Sequence, residues 1–237
     1  TTYYFAVKAY NADWLKSEYS EELTYTIPVA TIDNDNDINR VTDGLLAFYT
    51  FDEGSGLTVL DTSGVGEPLD LTVDSGTVYW ISGGLAISNV ALIKSAKPAT
   101  KIIEACKATN EISIEAWVKP ANTTQAGPAR IVTLSKNLSY RNFTLGQQGN
   151  TYDQRLLTTD TDINGRPSLA TPKGFLSTEL THVLYTFNDS GIARIYVNGT
   201  EASTRSVGGN LSKWNETYHL GLANEMTLNR AWLGELY

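Results

Sequence analysis

The chain has 237 residues, 41% hydrophobic and 19% charged, with 26 acidic against 18 basic side chains and a formal net charge of −8. That is enough for one large or two small domains and too apolar for disorder. The acid excess opposes phosphate-rich partners, so nucleic acid and anionic membrane are poor fits. A single cysteine, Cys106, excludes an internal disulfide and a zinc cluster, and no apolar run reaches the ~18 residues that would cross a bilayer.

Residues 1–28 read as one hairpin. Tyr3, Phe5, Val7 and Ala9 alternate, Asn11–Ser20 is a polar loop carrying Trp14, and Glu21–Ile27 is a second strand stopped by Pro28. This pattern resembles the last two strands of a fibronectin type III domain, in which a tyrosine at the place of Tyr3 caps a corner through its hydroxyl. The chain opens inside a strand, as a piece of a longer protein would. Residues 29–43 form an acidic linker. Asp33, Asp35 and Asp37 alternate with Asn34 and Asn36 like the start of a calcium loop, but Ile38 and Gly44 stand where the EF-hand needs Gly and Glu. A solvated linker is the simpler reading.

From Gly44 a second domain begins. Strands are expected over 45–51, 57–61, 69–73, 78–81 and 85–93. One helix over 98–107 presents Ile102, Ile103 and Cys106 on a shared face, where Cys106 reads as a small buried hydrophobe. Further strands follow over 112–118, ending at Pro120, and over 130–135, 141–147 and 152–158. Residues 159–178 form a long loop, of the kind that is functional or mobile, with a short strand near 168–170. In His182–Glu201, Val183, Tyr185 and Phe187 alternate with polar positions. Asn188-Asp189-Ser190-Gly191 makes a turn, Ile192–Val197 alternates again, and Asn198-Gly199 is a strong hairpin signal. Residues 202–215 read as a loop and 218–223 as a strand. Trp117 and Trp232 are expected in the core. No helix–strand alternation appears, so the fold class is all-β: a two-sheet antiparallel jelly-roll sandwich preceded by a short hairpin.

GLLAFYTFDEGSGLTVLDTSG (44–64), EISIEAWVKP (111–120), HVLYTFNDSGIARIYVNGTE (182–201) and WLGELY (232–237), in this order, resemble the laminin G-like / concanavalin A-like jelly-roll superfamily. The resemblance implies an extracellular recognition module, commonly for glycans and commonly with a structural Ca²⁺, in bacterial secreted or surface proteins. In the family another strand follows the Trp-x-Gly signal, so an inner strand is expected to be missing after Tyr237. By the same resemblance the calcium ligands are Glu53, Asp61, the carbonyl around Ser63, and Glu235, oxygen donors that suit a hard cation. The alternative is that these acids only close turns.

Glu111, Ser113 and Glu115 stand on one face of a strand, like the E-x-D-x-E of laminarinase-type hydrolases, but Ser113 replaces the Asp that helps set the charge of the two carboxyls. His182 and His219 lie in strands, away from any nucleophile elbow. The chain therefore reads as non-catalytic. Aromatic and polar groups for a sugar are Tyr140, Arg141, Tyr152, Asp153, Arg155 and Trp214, on stretches 137–155 and 205–217 that could share a rim. Asn-x-Ser/Thr sequences recur at Asn122, Asn137, Asn142, Asn188, Asn198, Asn210 and Asn215, which in a eukaryotic secreted chain would be glycosylation sites. Two partner classes stay open: a glycan, or a surface or matrix protein bound by an adhesion or spacer unit.

Overall fold

The stretch His182–Val197 shows how side-chain alternation builds this protein. Val183, Tyr185 and Phe187 are buried while His182, Leu184 and Thr186 are half-buried; on the returning strand Ala193, Ile195 and Val197 go inside. Gly191 takes φ 75° in the first turn, where the Ile192 amide donates to Asn188 Oδ1 at 2.9 Å. Asn198 and Gly199 are both left-handed, at φ 50° and 77°, so their twist matches that of the strands they join.

The computed structural model describes Thr2–Phe5, Leu23–Thr26, residues 41–73 and residues 76–237. Two compact units are present, Thr1–Gly44 and Leu45–Tyr237. In the first, β1 (Thr2–Phe5) and β2 (Leu23–Thr26) pair antiparallel, Thr2 opposite Thr26 and Phe5 opposite Leu23. The expected polar loop 11–20 and the Asp33, Asp35, Asp37 run lie outside the described residues.

The second unit contains β3 (Thr58–Val59), β4 (Leu71–Thr72), β5 (Val78–Ile81), β6 (Gly84–Ile87), β7 (Ile93–Ser95), α1 (Thr100–Thr109), β8 (Ile112–Pro120), β9 (Ala129–Ser135) and β10 (Arg141–Gln148). These are followed by β11 (Thr151–Leu156), β12 (Leu169–Ala170), β13 (Thr181–Phe187), β14 (Ile192–Val197), β15 (Thr200–Ser206), β16 (His219–Leu222) and β17 (Gly234–Leu236). They form two antiparallel sheets, an eight-stranded one in the order β12-β11-β10-β9-β16-β7-β4-β3 and a seven-stranded one in the order β15-β14-β13-β8-β17-β6-β5. The all-β sandwich expected from the sequence is the fold.

Several boundaries differ, each for a physical reason. Residues 45–51 form no ladder strand; the Phe48 carbonyl accepts from the Thr62 amide, and its amide donates to Asp61 Oδ1 at 3.1 Å instead. The expected strand 85–93 is two strands, because β6 belongs to the seven-stranded sheet and β7 to the eight-stranded one. Residues 200–206 extend the hairpin as an edge strand, its TEASTRS sequence lacking apolar alternation because this edge is largely exposed. The closing WLGELY stretch supplies β17, which lies between β8 and β6 with Glu235 opposite both Lys119 and Ala86.

The core lies between the sheets. Trp232 is fully buried, its indole N–H donating to Gln147 Oε1 at 3.0 Å. Trp117, expected inside, is 44% exposed. It shares the outward phase of β8 with Ser113 and Glu115, while Ile112, Ile114 and Val118 point in. Substituting Trp232→Ala is expected to cost about 3–5 kcal/mol by chemical denaturation, through lost burial and the remaining cavity. Trp117→Ala is expected to cost under about 1 kcal/mol.

Candidate functional site

In the eight-stranded sheet the register puts polar side chains on one face. Val132, Leu145 and Leu222 are neighbours across β9, β10 and β16 and face the core, as do Leu134, Phe143 and Leu220. The opposite phase carries Lys94, Gly221, Thr133, Thr144 and Arg155 in one cross-strand row, and His219, Ser135 and Arg141 in the next. Arg130 and Asp153 flank Gly146 on the same side.

Much of this polar face is nevertheless buried, because two loops roof it. Glu225, on the loop between β16 and β17, reaches under with no exposure and accepts from Arg130 Nε at 3.1 Å and from the Ser135 hydroxyl. Arg141 Nη1 lies 3.8 Å from the same carboxylate and donates to Thr144 Oγ1 at 2.9 Å. Thr144 and Thr133 share a hydrogen bond of 2.7 Å, and Thr133 donates to Ser135 at 3.0 Å, which closes a ring of polar groups. On the far side, Ser168 donates to Asp153 Oδ2 at 2.8 Å and Arg155 Nη1 to Asn164 Oδ1 at 3.1 Å. The long 159–178 stretch thus roofs one half of the face. Burial, then the Arg130 guanidinium, pulls Arg141 down from its ordinary value to about 9.

Beside this ring a cleft of about 350 Å³ opens. Lys94, Ser135, Lys136, Asn215, Thr217, Tyr218, His219 and Met226 line it. Asn142 on β10 holds the 215–218 rim, its amide donating to the Asn215 carbonyl and its carbonyl accepting from the Asn215 N–H, both at 2.9 Å. His219 Nδ1 sits 2.9 Å from the Ser95 carbonyl; a carbonyl only accepts, so Nδ1 carries the proton and Nε2 is the remaining ring nitrogen. Gly221 lies under Met226, whose Cε would be 2.7 Å from a Cβ placed there.

The sugar-binding residues expected from the sequence are divided by this geometry. Tyr140 is 43% exposed, and its carbonyl accepts from the Lys136 amide at the cleft's edge. Burial, and secondly Tyr140, push the Tyr218 hydroxyl up. Arg141 lies in the buried ring. Trp214 is buried, donating to the Leu157 carbonyl at 2.8 Å and packing on Phe143 at 6.0 Å, so it supports the fold from inside. Tyr152 is fully buried in the phase of Gln147, and Asp153 and Arg155 pair under the 159–178 roof at 3.4 Å. These five, all buried, do not form a rim. Lys94, Lys136, Asn215, Thr217, Tyr218 and His219 were not foreseen as a group, because only the β7–β16–β9 register brings them together.

The four proposed calcium ligands do not make an open donor set. Asp61 Oδ1 accepts from the Phe48 and Ser63 amides, both at 3.1 Å, and Oδ2 from the Leu69 amide at 2.9 Å and from the Lys101 ammonium. Lys101 also donates to the Val65 carbonyl at 2.9 Å. Glu53 accepts from the Leu60 amide, and Glu235 from Lys119 and Tyr237. Among the described residues no three acidic, His or Cys side chains converge. As folded, the donors around Asp61 hold the Lys101 ammonium, while Glu53 Oε2 is buried without a hydrogen-bond partner. Glu115 lies on the other sheet's outer face, 2.9 Å from His182 Nε2, and His182 stacks on Trp117 at 4.9 Å.

A two-layer antiparallel sandwich with one polar face is the architecture of jelly-roll binding proteins and of the glycan-cleaving enzymes built on the same frame. Residues 95–237 match the model of the Concanavalin A-like lectin/glucanases superfamily, and the chain belongs to that family. Similar solved structures include the binding domain of botulinum neurotoxin serotype D/C VPI 5993, at 16% identity and TM-score 0.58, covering 84% of this chain and 49% of that one. The serotype C1 binding domain matches at 16% and 0.58, covering 83% and 48%. Botulinum neurotoxin type C, described as dependent upon interaction with two ganglioside molecules to get into cells, matches at 17% and 0.58, covering 83% and 46%. The chain spans about half the length of these structures, and at this identity the likeness is one of fold. A comparison with curated protein sequences finds no match.

Two outcomes follow from the ion pairs. Glu225→Gln leaves two buried guanidiniums without their carboxylate and is expected to cost about 3–5 kcal/mol by denaturant titration. For Asp61, burial alone would raise the carboxyl, but Lys101 and the Leu69 and Ser63 groups outweigh it and bring it to about 2. A folded value below the ordinary 3.8 means that this stabilisation is complete above that pH and fades as pH falls toward 2. Lys101→Met is therefore expected to cost about 3 kcal/mol at pH 7 and progressively less in acid. Wild-type melting curves in Ca²⁺ and in chelator should coincide; a higher melting temperature with Ca²⁺ would show that the native state binds it.

Proposed function

We propose that the Leu45–Tyr237 unit is a non-catalytic carbohydrate-recognition module of a larger secreted or surface protein, and that the Tyr218–His219 cleft is its sugar site. The observation that carries this reading is the cleft's lining: a tyrosine and a methionine beside a serine, a threonine, an asparagine and an imidazole. A sugar ring presents apolar C–H faces and hydroxyls together, and needs this mixture of apolar wall and fixed polar groups. The absence of any carboxylate in that lining supports a binding rather than a hydrolytic role, since glycoside cleavage normally takes two. The ganglioside dependence described for the similar botulinum type C structure points the same way. Among the described residues no helix is long and apolar enough to cross a membrane.

A glycan array followed by calorimetry tests the reading. Tyr218→Ala, which removes a wall, and Met226→Trp, which fills the cleft, are each expected to weaken binding at least about tenfold, or ~1.4 kcal/mol. Circular dichroism should stay unchanged, and Trp117→Ala should bind normally. Loss in Trp117→Ala alone would move the site to the opposite sheet. No binding to any glycan would favour the adhesion or spacer reading.

A further inference from the structure

We infer that this cleft selects an acidic sugar, one carrying a carboxylate or a sulfate, through Lys94 and Lys136; the inference rests on the reading of the cleft as a carbohydrate site. The protein as a whole carries a net charge of −8, yet the cleft is lined by two ammonium groups and an imidazole and by no acid. Lys94 projects from β7 and Lys136 from the turn after β9, and both are exposed. Among the described residues neither has an ion-pair partner, whereas Lys101, Lys107 and Lys119 each meet a carboxylate.

The acids next to the cleft in sequence are already committed. Glu216, between the lining residues Asn215 and Thr217, pairs with Lys107 at 2.6 Å. Glu225, beside Met226, is held below by Arg130 and Ser135. Beside the cleft the buried charges do not cancel: Arg130 and Arg141 share Glu225 in the polar ring, and Arg155 pairs with Asp153 on its far side. Arg141 Nε has no hydrogen-bond partner although its side chain has no exposure. Water screens such a surplus weakly from inside the protein, so its field extends to the neighbouring opening.

The cleft's size narrows the ligand further. About 350 Å³ is at the small end of ligand pockets, which run ~300–1,000 Å³. It suits a terminal residue better than the interior of a chain. The polar rim supplied by Asn215, Thr217 and His219 would take the hydroxyls while the ammoniums take the acid. Ammonium groups act on an anion as point charges, so a planar carboxylate and a tetrahedral sulfate are both within their reach.

The test uses matched saccharides that differ only at one terminal substituent: neutral, carboxylated or sulfated. Titration calorimetry of the full chain is expected to show an acidic member binding at least about tenfold more tightly than the neutral one. Lys94→Gln/Lys136→Gln should remove that advantage without changing the melting temperature, and raising NaCl from ~0.05 to ~0.5 M should shrink it. The carboxylated and sulfated arms identify which acid is preferred. Equal binding of neutral and acidic members, or an advantage that survives the double substitution, would overturn the acid selectivity while leaving sugar recognition standing. Binding of polyglutamate as tightly as of the acidic saccharide would also overturn it, as charge without a sugar. Failure to bind any of the saccharides would overturn both readings.

Discussion

The buried carboxylate of Glu225 is the constraint on which the polar face depends. It is placed by a loop, not a strand, and the loop is fixed at several points. Asn224 Oδ1 accepts from the Arg230 and Glu225 amides, the Arg130 amide donates to the Arg230 carbonyl, and the Arg230 side chain donates to the Gly127 carbonyl. Ala223 and Leu228 both accept left-handed backbone, at φ 64° and 60°, to make the turn. Two buried guanidiniums without a carboxylate would be costly, and a hydrophobic replacement of all three groups could be as stable. What the ionic arrangement adds is definition: it fixes where the roof ends and therefore where the cleft begins.

The fold was legible because alternation is local. His182–Val197 displays its inner and outer faces in sixteen consecutive letters, and Asn198-Gly199 declares the turn. The same rule, followed through β8, puts Trp117 outside with Ser113 and Glu115; the prior that tryptophan is buried overrode a phase already written in the neighbouring residues. β15 was hidden for the opposite reason. An exposed edge strand is under no pressure to alternate, so Thr200–Ser206 reads like a loop. The division of 85–93 between two sheets was likewise not local, since nothing in the apolar run says where the chain crosses the sandwich.

The site was far less legible, and the reason is register. Tyr152, Asp153 and Arg155 attract attention as an aromatic-and-polar run, but β11 pairs on both sides, and all three side chains are buried. Lys94, Lys136 and His219 are far apart in sequence and lie in unremarkable segments. They meet because Gly221 pairs with Lys94 on one side and with Thr133 on the other, and His219 with Ser135. A one-residue slip of β16 would turn His219 into the core and bring Leu220 out, so the cleft's chemistry follows from the burial of Leu220 and Leu222. Core packing, with no ligand involved, is what aims the polar groups.

Charge at the Asp61 loop and at the cleft obeys one logic with opposite outcomes. At Asp61 the family resemblance led to an expected metal, but the carboxylate has found an internal cation: Lys101, 16% exposed, reaches back from the first turn of α1 and binds a carboxylate and a carbonyl as a cation would. The helix that carries Lys101 is anchored by Ile102 and Ile103, both buried, so packing of α1 brings the ammonium to the loop. At the cleft the cations have no such internal partner, and the acids nearby are held elsewhere. Net charge could reveal neither arrangement, because a sum of −8 is dominated by acids scattered over the surface. Which charges are neutralised is decided by packing, and on this chain packing satisfies an acid where a metal was expected and leaves two lysines open where a ligand can approach.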